Sequence, residues 1–139
     1  MKEPVWVLRA SAHALHDRLL SEFGGASGIR DEGMLESALS RPVNQSGYGS
    51  PSIPELAAAY AFGLVRNHPF VDGNKRIGLA TAALFLELNG YRFMASEADA
   101  NVQTLAMAAH ELDEAGYAVW LKSNSKALKV RSRRDRRAK

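Results

Sequence analysis

Cysteine is absent from the sequence. Without a thiol, the chain has no disulfide framework, no thiolate zinc site and no cysteine nucleophile. Long hydrophobic runs are also missing, because the longest uncharged apolar stretch, Ile77 to Leu86, has ten residues, whereas a membrane-spanning helix needs about 20. The N-terminal residues contain no signal-peptide core. We therefore expect a cytoplasmic protein without membrane contact.

Common nucleotide-binding motifs are missing as well. The chain has no G-x-x-x-x-G-K-[ST] phosphate loop, no kinase-type glycine loop and no H-R-D or D-F-G triplet. Any chemistry on a nucleotide must therefore use a different element of the sequence.

Charge is distributed unevenly along the 139 residues. The segment Lys126–Lys139 holds eight basic residues and one acid and so carries +7. Because the whole chain carries +3, residues 1–125 are mildly acidic. The length suits one domain, which predicts a folded domain at 1–125 and a basic tail at 126–139. Such a tail is either a solvated chain end or an arm that attracts nucleic acid or another anionic surface.

Capping residues and hydrophobic spacing predict an all-α fold. A first helix is expected from Ser11 to Gly24. A second is expected to begin at Asp31 and to stop before Pro42, because proline disfavours helical structure in the residue before it. Residues 43–52 then form a loop. The second helix is predicted to bury four residues, namely Met34, Leu35, Ala38 and Leu39.

The next two helices are predicted from Ser52 to Arg66 and from Gly73 to Gly90. The helix that begins at Gly73 is apolar on all sides over most of its length, which is typical of a helix buried at the centre of a bundle. Small residues in it, such as Gly78, would let neighbouring helices approach closely.

The C-terminal part is predicted to hold a short strand or an extended connection at 91–94, followed by two further helices. The first of these begins at Ser96, with Asp99 in capping-box spacing, and runs to about Ala115. Gly116 would end it, and a last short helix would follow. The predicted architecture is a helical bundle around a buried central helix.

The stretch Arg66–Arg76, with the sequence RNHPFVDGNKR, leads into the predicted central helix. The first N–H groups of a helix have no partner within it, and the macrodipole makes this end electropositive, so it is suited to bind an anion. Gly73 permits close approach of the backbone to a ligand. Lys75 and Arg76 oppose the helix dipole and are poorly placed for stability, which indicates that an anion binds there.

Neighbouring residues add a proton acceptor and a metal ligand. His68 can exchange protons near neutral pH, and Asp72 is a hard oxygen ligand suited to Mg²⁺. Asn74 can donate or accept hydrogen bonds within the loop, and Phe70 is predicted to anchor it in the core. Together these residue types predict a phosphate-transfer site.

The residues HPFVDGNKR at 68–76 resemble the signature of the Fic/Doc superfamily, whose loop reads roughly H-x-F-x-[DE]-[GA]-N-[GK]-R. Other segments also resemble the death-on-curing (Doc) branch of that superfamily, namely Gly24-Gly25, Gly28–Asp31, Leu35–Leu39, Arg41-Pro42 and Leu88–Tyr91. The resemblance covers about residues 5–122. It implies that His68 is the catalytic base, that Asp72 binds magnesium, and that Gly73, Asn74, Lys75 and Arg76 bind phosphate. Arg66 precedes the motif, and from this position we expect it to reach phosphate or a partner.

Two departures from the Fic pattern favour the Doc branch. The adenylyltransferases of the superfamily have glycine at the position of Lys75 and a second arginine at the position of Leu79. Doc-like members are toxins that use ATP and Mg²⁺ to phosphorylate a threonine of elongation factor Tu, which arrests translation. The resemblance therefore implies ATP and Mg²⁺, this substrate, and a cognate antitoxin whose C-terminal segment covers the active-site groove. The inhibitory motif that some Fic proteins carry internally, [ST]-x-x-x-E-[GN], does not occur in the sequence.

Two other functions stay open at this point. One is a Fic-type protein adenylyltransferase, and the other is a non-catalytic binding module whose basic tail contacts nucleic acid. A further pair, His13 and His16, has a spacing that suits metal binding on one helix. Because no third ligand is evident, we expect packing or surface roles for both histidines.

Overall fold

The structure of the protein, a computed structural model, describes residues 3–128. It confirms the all-α prediction, since six helices and one sheet of two short strands make up this part of the chain. The elements are α1 (Arg9–Phe23), α2 (Glu32–Gly47), α3 (Ile53–Asn67), α4 (Asn74–Leu88), β1 (Tyr91–Phe93), α5 (Glu97–Ala108), α6 (Glu114–Ser123) and β2 (Ser125–Ala127). Within the described range, no helix has the length and apolarity to cross a membrane. The predicted tail from residue 129 onward lies outside the described residues.

The predicted start of the first helix at Ser11 is wrong, because α1 begins two residues earlier. Leu8 occupies the cap position and provides no side-chain hydrogen bond. The first residue of the helix, Arg9, instead forms ion pairs with Glu32 and Glu36 of α2. These ion pairs join the beginnings of the two helices. Because they connect residues that are far apart in the sequence, local capping signals do not reveal them.

The start of α2 is as predicted, and its predicted end is wrong. Asp31 caps the helix by accepting the N–H of Met34 at 3.0 Å, but the helix continues past Pro42. Proline removes one N–H donor from the helix. However, Leu35, Ala38 and Pro42 are all buried and lie at helical spacing, so packing outweighs the missing hydrogen bond. Met34, which was predicted to be buried, is exposed.

The most buried helix is α3, in which ten of fifteen residues are buried. It begins with a capping box in which Ser52 and Glu55 satisfy each other's backbone N–H groups. Its alanines at 57–59 and 61 allow α2, α4 and α6 to pack closely around it. The sequence pattern placed the next helix at the centre. That helix, α4, is buried along one side but is open at its beginning, where Lys75 and Arg76 are exposed.

Two helices follow β1 as predicted, but the predicted boundary between them is wrong, because the first ends at Ala108 and the second begins at Glu114. Ser96 caps α5 as predicted, but the chain turns after α5, with His110 at a left-handed φ of 66°. Asp113 then caps α6 by accepting the N–H of Gly116 at 2.7 Å. Gly116 therefore lies inside α6 and does not end the preceding helix.

Two side-chain hydrogen bonds join α5 to α6. The hydroxyls of Thr104 and Tyr117 lie 2.9 Å apart, and Trp120 Nε1 donates to the Asp99 carboxylate at 2.8 Å. Burial raises the pKa of Tyr117 to about 12, so its hydroxyl is protonated at neutral pH. These bonds fix α5 on the adjacent helix.

The short strand β1 confirms the extended segment predicted at 91–94. Its partner β2 was not predicted, and it pairs with β1 in antiparallel fashion, with Tyr91 opposite Ala127. Lys126 and Ala127, the first two residues of the predicted tail, therefore lie in this sheet.

The contact between α3 and α4 depends on Gly78, and its replacement by alanine tests this. A Cβ atom on Gly78 would lie 2.7 Å from Val65 Cγ2 and 3.2 Å from the carbonyl oxygen of Ala61. Overpacking of this kind costs about 1–3 kcal/mol, and alanine returns about 1 kcal/mol through its higher helix propensity. We expect G78A to lower the free energy of unfolding by about 1 kcal/mol, and by at most about 2 kcal/mol, in chemical denaturation.

Gly47, at the end of α2, provides the matched control. A Cβ atom there would meet no other atom within 4 Å. We expect G47A to leave the free energy of unfolding unchanged or to raise it slightly. Equal losses of stability in the two variants would contradict the role of Gly78 in helix packing.

Candidate active site

The stretch predicted to carry chemistry forms the junction between α3 and α4. His68 follows α3 in the left-handed conformation, with φ 47° and ψ 54°. Gly73 precedes α4 and is also left-handed, with φ 78°. The connecting residues 68–73, called the junction loop below, therefore turn sharply at both ends.

Asn74 holds the junction loop closed. Its side chain is buried, its amide oxygen accepts the N–H of Phe70 at 3.0 Å, and its amide nitrogen donates to the Phe70 carbonyl oxygen at 3.0 Å. The same nitrogen lies 3.4 Å from His68 Nδ1. The amide of Asn74 is thus committed to the loop, and direct phosphate binding by this side chain stays a prediction.

Phe70 anchors the loop in the core, as predicted. Its buried ring stacks on the imidazole of His16 in α1, with 3.8 Å between the ring centroids. His16 Nε2 lies 2.8 Å from the carbonyl oxygen of Asp72, and because a carbonyl only accepts, this nitrogen carries the proton. His13 lies edge-on to the same Phe70 ring. Both histidines of α1 therefore pack against the junction loop.

The carboxylate of Asp72 is exposed and is held by the backbone. Oδ2 accepts the N–H of Ala26 at 3.2 Å, and Oδ1 accepts the N–H of Gly73 at 2.8 Å. The hydrogen bond from Ala26, followed by that from Gly73, lowers the pKa of Asp72, and the charge of Arg76 acts in the same direction. The side chain is therefore an ionised carboxylate in a fixed orientation.

A short segment before α2 pairs with the junction loop from outside. Ile29 and Phe70 form an isolated antiparallel bridge. The flanking backbone hydrogen bonds run from Arg30 N–H to the Pro69 oxygen at 2.7 Å and from Val71 N–H to the Gly28 oxygen at 3.0 Å. The loop is thus fixed by backbone pairing as well as by Asn74.

A cavity of about 580 Å³ opens beside the junction loop, a volume typical of small-molecule sites. Six of the seven residues predicted for the site line it, namely His68, Asp72, Gly73, Asn74, Lys75 and Arg76. The other lining residues are Val71, Leu79, Asn101, Thr104 and Leu105. The structure therefore brings the predicted groups to one space.

The part of the cavity nearest α4 is positively charged. The first N–H groups of this helix have no partner within the helix, and Lys75 and Arg76 are exposed beside them. The guanidinium of Arg76 also lies over the ring of Phe23, 4.6 Å from its centroid. Among the described residues that line the cavity, Asp72 is the only acid. An anion is therefore the ligand that this end favours.

Arg66 is the predicted residue that the structure does not bring to this cavity. Its guanidinium contacts His110 Nδ1 at 2.7 Å and lies over the ring of Phe62. Arg66, His110 and Phe62 line a separate cavity of about 360 Å³. The predicted phosphate contact of Arg66 thus has no support in the geometry.

The contribution of α5 to the cavity was not predicted. Asn101, Thr104 and Leu105 belong to no motif, and only the packing of α5 brings them to the lining. His16 was noted in the sequence as one of two histidines on a single helix, but no signal pointed to its contact with Asp72.

The site combines an electropositive helix end, an ionised carboxylate and an exposed imidazole around one cavity. This combination can bind an anion, hold a divalent cation beside it, and exchange a proton with a hydroxyl group.

The backbone hydrogen bonds to Asp72 predict a shifted titration. We expect its carboxyl ¹³C NMR signal to titrate with a midpoint below the ordinary value of 3.8, together with the amide signals of Ala26 and Gly73. Because the pKa is lowered in the folded protein, the stabilisation that depends on this carboxylate is present above the ordinary pKa and is lost as the pH falls through the folded pKa. A midpoint at or above 3.8 would contradict these hydrogen bonds.

Comparison with known proteins agrees with this geometry. Residues 6–86 match the model of the Fic/DOC family. Toxin Doc of Mycolicibacterium smegmatis is 45% identical over 76 residues, which cover 52% of this chain and 58% of that protein. Protein kinase doc of Escherichia phage P1 is 38% identical over 78 residues, which cover 55% of this chain and 62% of that protein.

The alignments thus span about six-tenths of the length of these curated relatives. The family match itself takes in more than half of the chain, including α1, α2, α3 and the whole junction loop. The chain therefore belongs to the Fic/DOC family.

Proposed function

We propose that the protein is a Doc-like toxin that transfers a phosphoryl group from ATP to a serine or threonine hydroxyl of a translation factor, with elongation factor Tu as the expected target. The observation that carries this proposal is that Lys75 and Leu79, the two departures from the adenylyltransferase pattern, both line the cavity. One relative bears the name protein kinase doc, which supports phosphoryl over adenylyl transfer.

The phosphates of ATP bind at the beginning of α4 in this proposal. Lys75 and Arg76 supply two positive charges there, and Gly73 lets the backbone N–H groups approach the ligand. Phosphoryl transfer needs mainly positioning and charge stabilisation from the protein. A short loop at one helix end can therefore provide most of the machinery.

Asp72 fits the role of magnesium ligand. Its carboxylate is ionised and exposed, and each oxygen accepts one backbone N–H, which leaves lone pairs free. The described residues contain no group of three His, Cys, Asp or Glu side chains placed around a metal. This suits Mg²⁺, which commonly takes one or two carboxylates together with substrate phosphates and water. When bound, Mg²⁺ neutralises charge on the phosphates.

His68 accepts the proton of the target hydroxyl. The Asn74 amide is oriented by both of its bonds to Phe70, so its nitrogen can only donate to His68 Nδ1. In that contact the neutral imidazole carries its proton on Nε2. Acting as a base therefore requires the ring to rotate or to exchange tautomer. The 3.4 Å contact is long for a hydrogen bond, and His68 is exposed, so this rearrangement meets little resistance.

The proposed reaction needs only ATP and the target hydroxyl as reactants. The hydroxyl oxygen forms a bond to the γ-phosphorus as the bond from that phosphorus to the β–γ bridging oxygen breaks. ADP leaves, and the hydroxyl proton passes to His68.

The α5 wall suits the nucleoside part of ATP. Leu105 of α5 and Leu79 of the neighbouring α4 offer apolar surface for the faces of a base. The exposed amide of Asn101 can pair with a base edge. The hydroxyl of Thr104 is held by Tyr117, which gives this wall a fixed polar group.

An antitoxin is the proposed regulatory partner. The cavity lining includes Val71 and Leu105, apolar side chains that are 52% and 53% exposed. A relative bears the name toxin Doc, and toxins of this kind need a neutralising partner. We infer that the C-terminal segment of an antitoxin covers these side chains in the cytoplasm of the host cell.

Replacing His68 tests the catalytic assignment. We expect H68A to retain the wild-type melting temperature and to lose about a hundredfold or more of transfer activity, because general base catalysis contributes about 10²–10⁴-fold. The measurement is incorporation of label from γ-³²P-ATP into elongation factor Tu. H110A, which changes a histidine outside the cavity, is the matched control. Undiminished transfer by H68A would remove the assignment.

The position of the label identifies the reaction. Label transferred from γ-³²P-ATP supports phosphorylation, whereas label transferred from α-³²P-ATP shows adenylylation and overturns the proposal. No transfer from either nucleotide, in a cell extract that contains all translation factors, leaves the non-catalytic binding module as the surviving function.

Lys75 provides a test of the phosphate end. We expect K75A to weaken ATP binding about tenfold or more, because a lost charge-assisted contact costs about 1.5–3 kcal/mol. Isothermal titration calorimetry measures the change, with R92A, an exposed arginine of β1, as control. R66A is expected to bind ATP like the wild type, because the Arg66 side chain contacts His110 and does not line the cavity. Wild-type affinity of K75A would contradict the proposed phosphate pocket.

A further inference from the structure

His68 adopts a backbone conformation that is unfavourable for its residue type. Its φ of 47° and ψ of 54° lie in the left-handed region, which costs a residue with a side chain about 1–2 kcal/mol. Glycine usually occupies this position at the end of a helix. Such a conformation persists only where the surrounding structure holds it.

Arg30 binds three consecutive carbonyl oxygens at this point. Nε donates to the His68 oxygen at 2.7 Å, and Nη2 donates to the Asn67 oxygen at 2.8 Å. The backbone N–H of Arg30 donates to the Pro69 oxygen at 2.7 Å. The oxygens of Asn67 and His68 lie where α3 ends, so helical hydrogen bonding leaves them without partners.

Arginine is suited to this contact in two ways. Its planar guanidinium presents two donors in a fixed fork, which matches two adjacent carbonyl groups, whereas lysine offers a single charged group on a flexible stem. Its positive charge is also favoured at the C-terminal end of a helix. Arg30 is itself fixed, because Ile29 pairs with Phe70 and Asp31 caps α2.

We propose that Arg30 is the positioning residue for His68, because its fork fixes the left-handed turn that directs the imidazole to the cavity. Arg30 does not line the cavity, so it acts through His68 and not on the nucleotide. The kinetic part of this inference rests on the proposed function, and the conformational part does not.

The two ends of the site should respond differently to loss of Arg30. Lys75, Arg76 and Gly73 form the phosphate end and have no contact with the Arg30 fork. Loss of the fork should therefore disturb the proton acceptor and leave nucleotide binding unchanged.

Kinetics of the full chain test this separation. We expect R30M to lower kcat about 10- to 100-fold, because small misplacements of a catalytic group have effects of this size. KM for ATP should stay within about twofold of wild type. R30K should recover part of kcat, because lysine replaces the charge but not the fork. R92M is the matched control and should behave as wild type.

An NMR measurement reports the conformation of His68 directly. Positive φ gives a strong intraresidue NOE between the amide proton and Hα, which we expect for His68 in the wild type and in R92M and expect to weaken in R30M. An unchanged kcat in R30M would overturn the inference, and so would a loss of kcat with the His68 NOE retained. If R30M fails to fold, R30K decides, because wild-type kcat in that variant would show that the fork is not needed.

Failure of the proposed function is separable from failure of this inference. If wild-type protein transfers no label from ATP, the proposed reaction is wrong. The NOE comparison between wild type and R30M then still decides whether Arg30 sets the conformation of His68.

Discussion

Two hydrogen bonds between the Asn74 amide and the Phe70 backbone are the constraint on which the site depends. Because Asn74 is also the first residue of α4, closing the junction loop and starting the helix are one structural event. Phe70 is buried against His16, so the core fixes the middle of the loop. His68 and Asp72, two residues to either side, are thereby presented to solvent from a rigid base.

Much of the fold could be predicted from local signals, and each error has a physical cause. The caps at Asp31 and Ser52 depend on neighbouring residues only, and both were predicted correctly. Pro42 and Gly116 were taken as helix ends by local rules, yet both lie inside helices. Pro42 is buried, so tertiary packing, which local rules do not contain, decides this position. Gly116 was misassigned for a different reason, because the local cap at Asp113, which accepts the N–H of Gly116, was missed.

In the candidate site as well, the residues of one contiguous motif were predicted, and the residues that depend on distant contacts were not. The residues from His68 to Arg76 were predicted because they are contiguous and begin a helix, and those predicted there line one cavity. Arg66 precedes His68 by only two residues, but it belongs to α3, and the chain turns at His68. Its side chain therefore contacts His110 and does not reach the cavity. The roles of His16 and Arg30 depend on partners 56 and 38 residues away. Such long-range contacts leave no periodic or capping signal in the sequence.

The attachment of α5 has a consequence for how such a protein can diversify. Its hydrogen bonds run from Thr104 and Asp99 to α6, while the junction loop is held by α1, α4 and the segment before α2. The match to the family model ends at residue 86, and α5 begins at Glu97. The side-chain hydrogen bonds that hold this wall of the cavity are therefore separate from those that close the junction loop. Substitutions on α5 that keep these bonds can therefore reshape the cavity while the junction loop stays closed, so its lining and its loop can be altered one at a time.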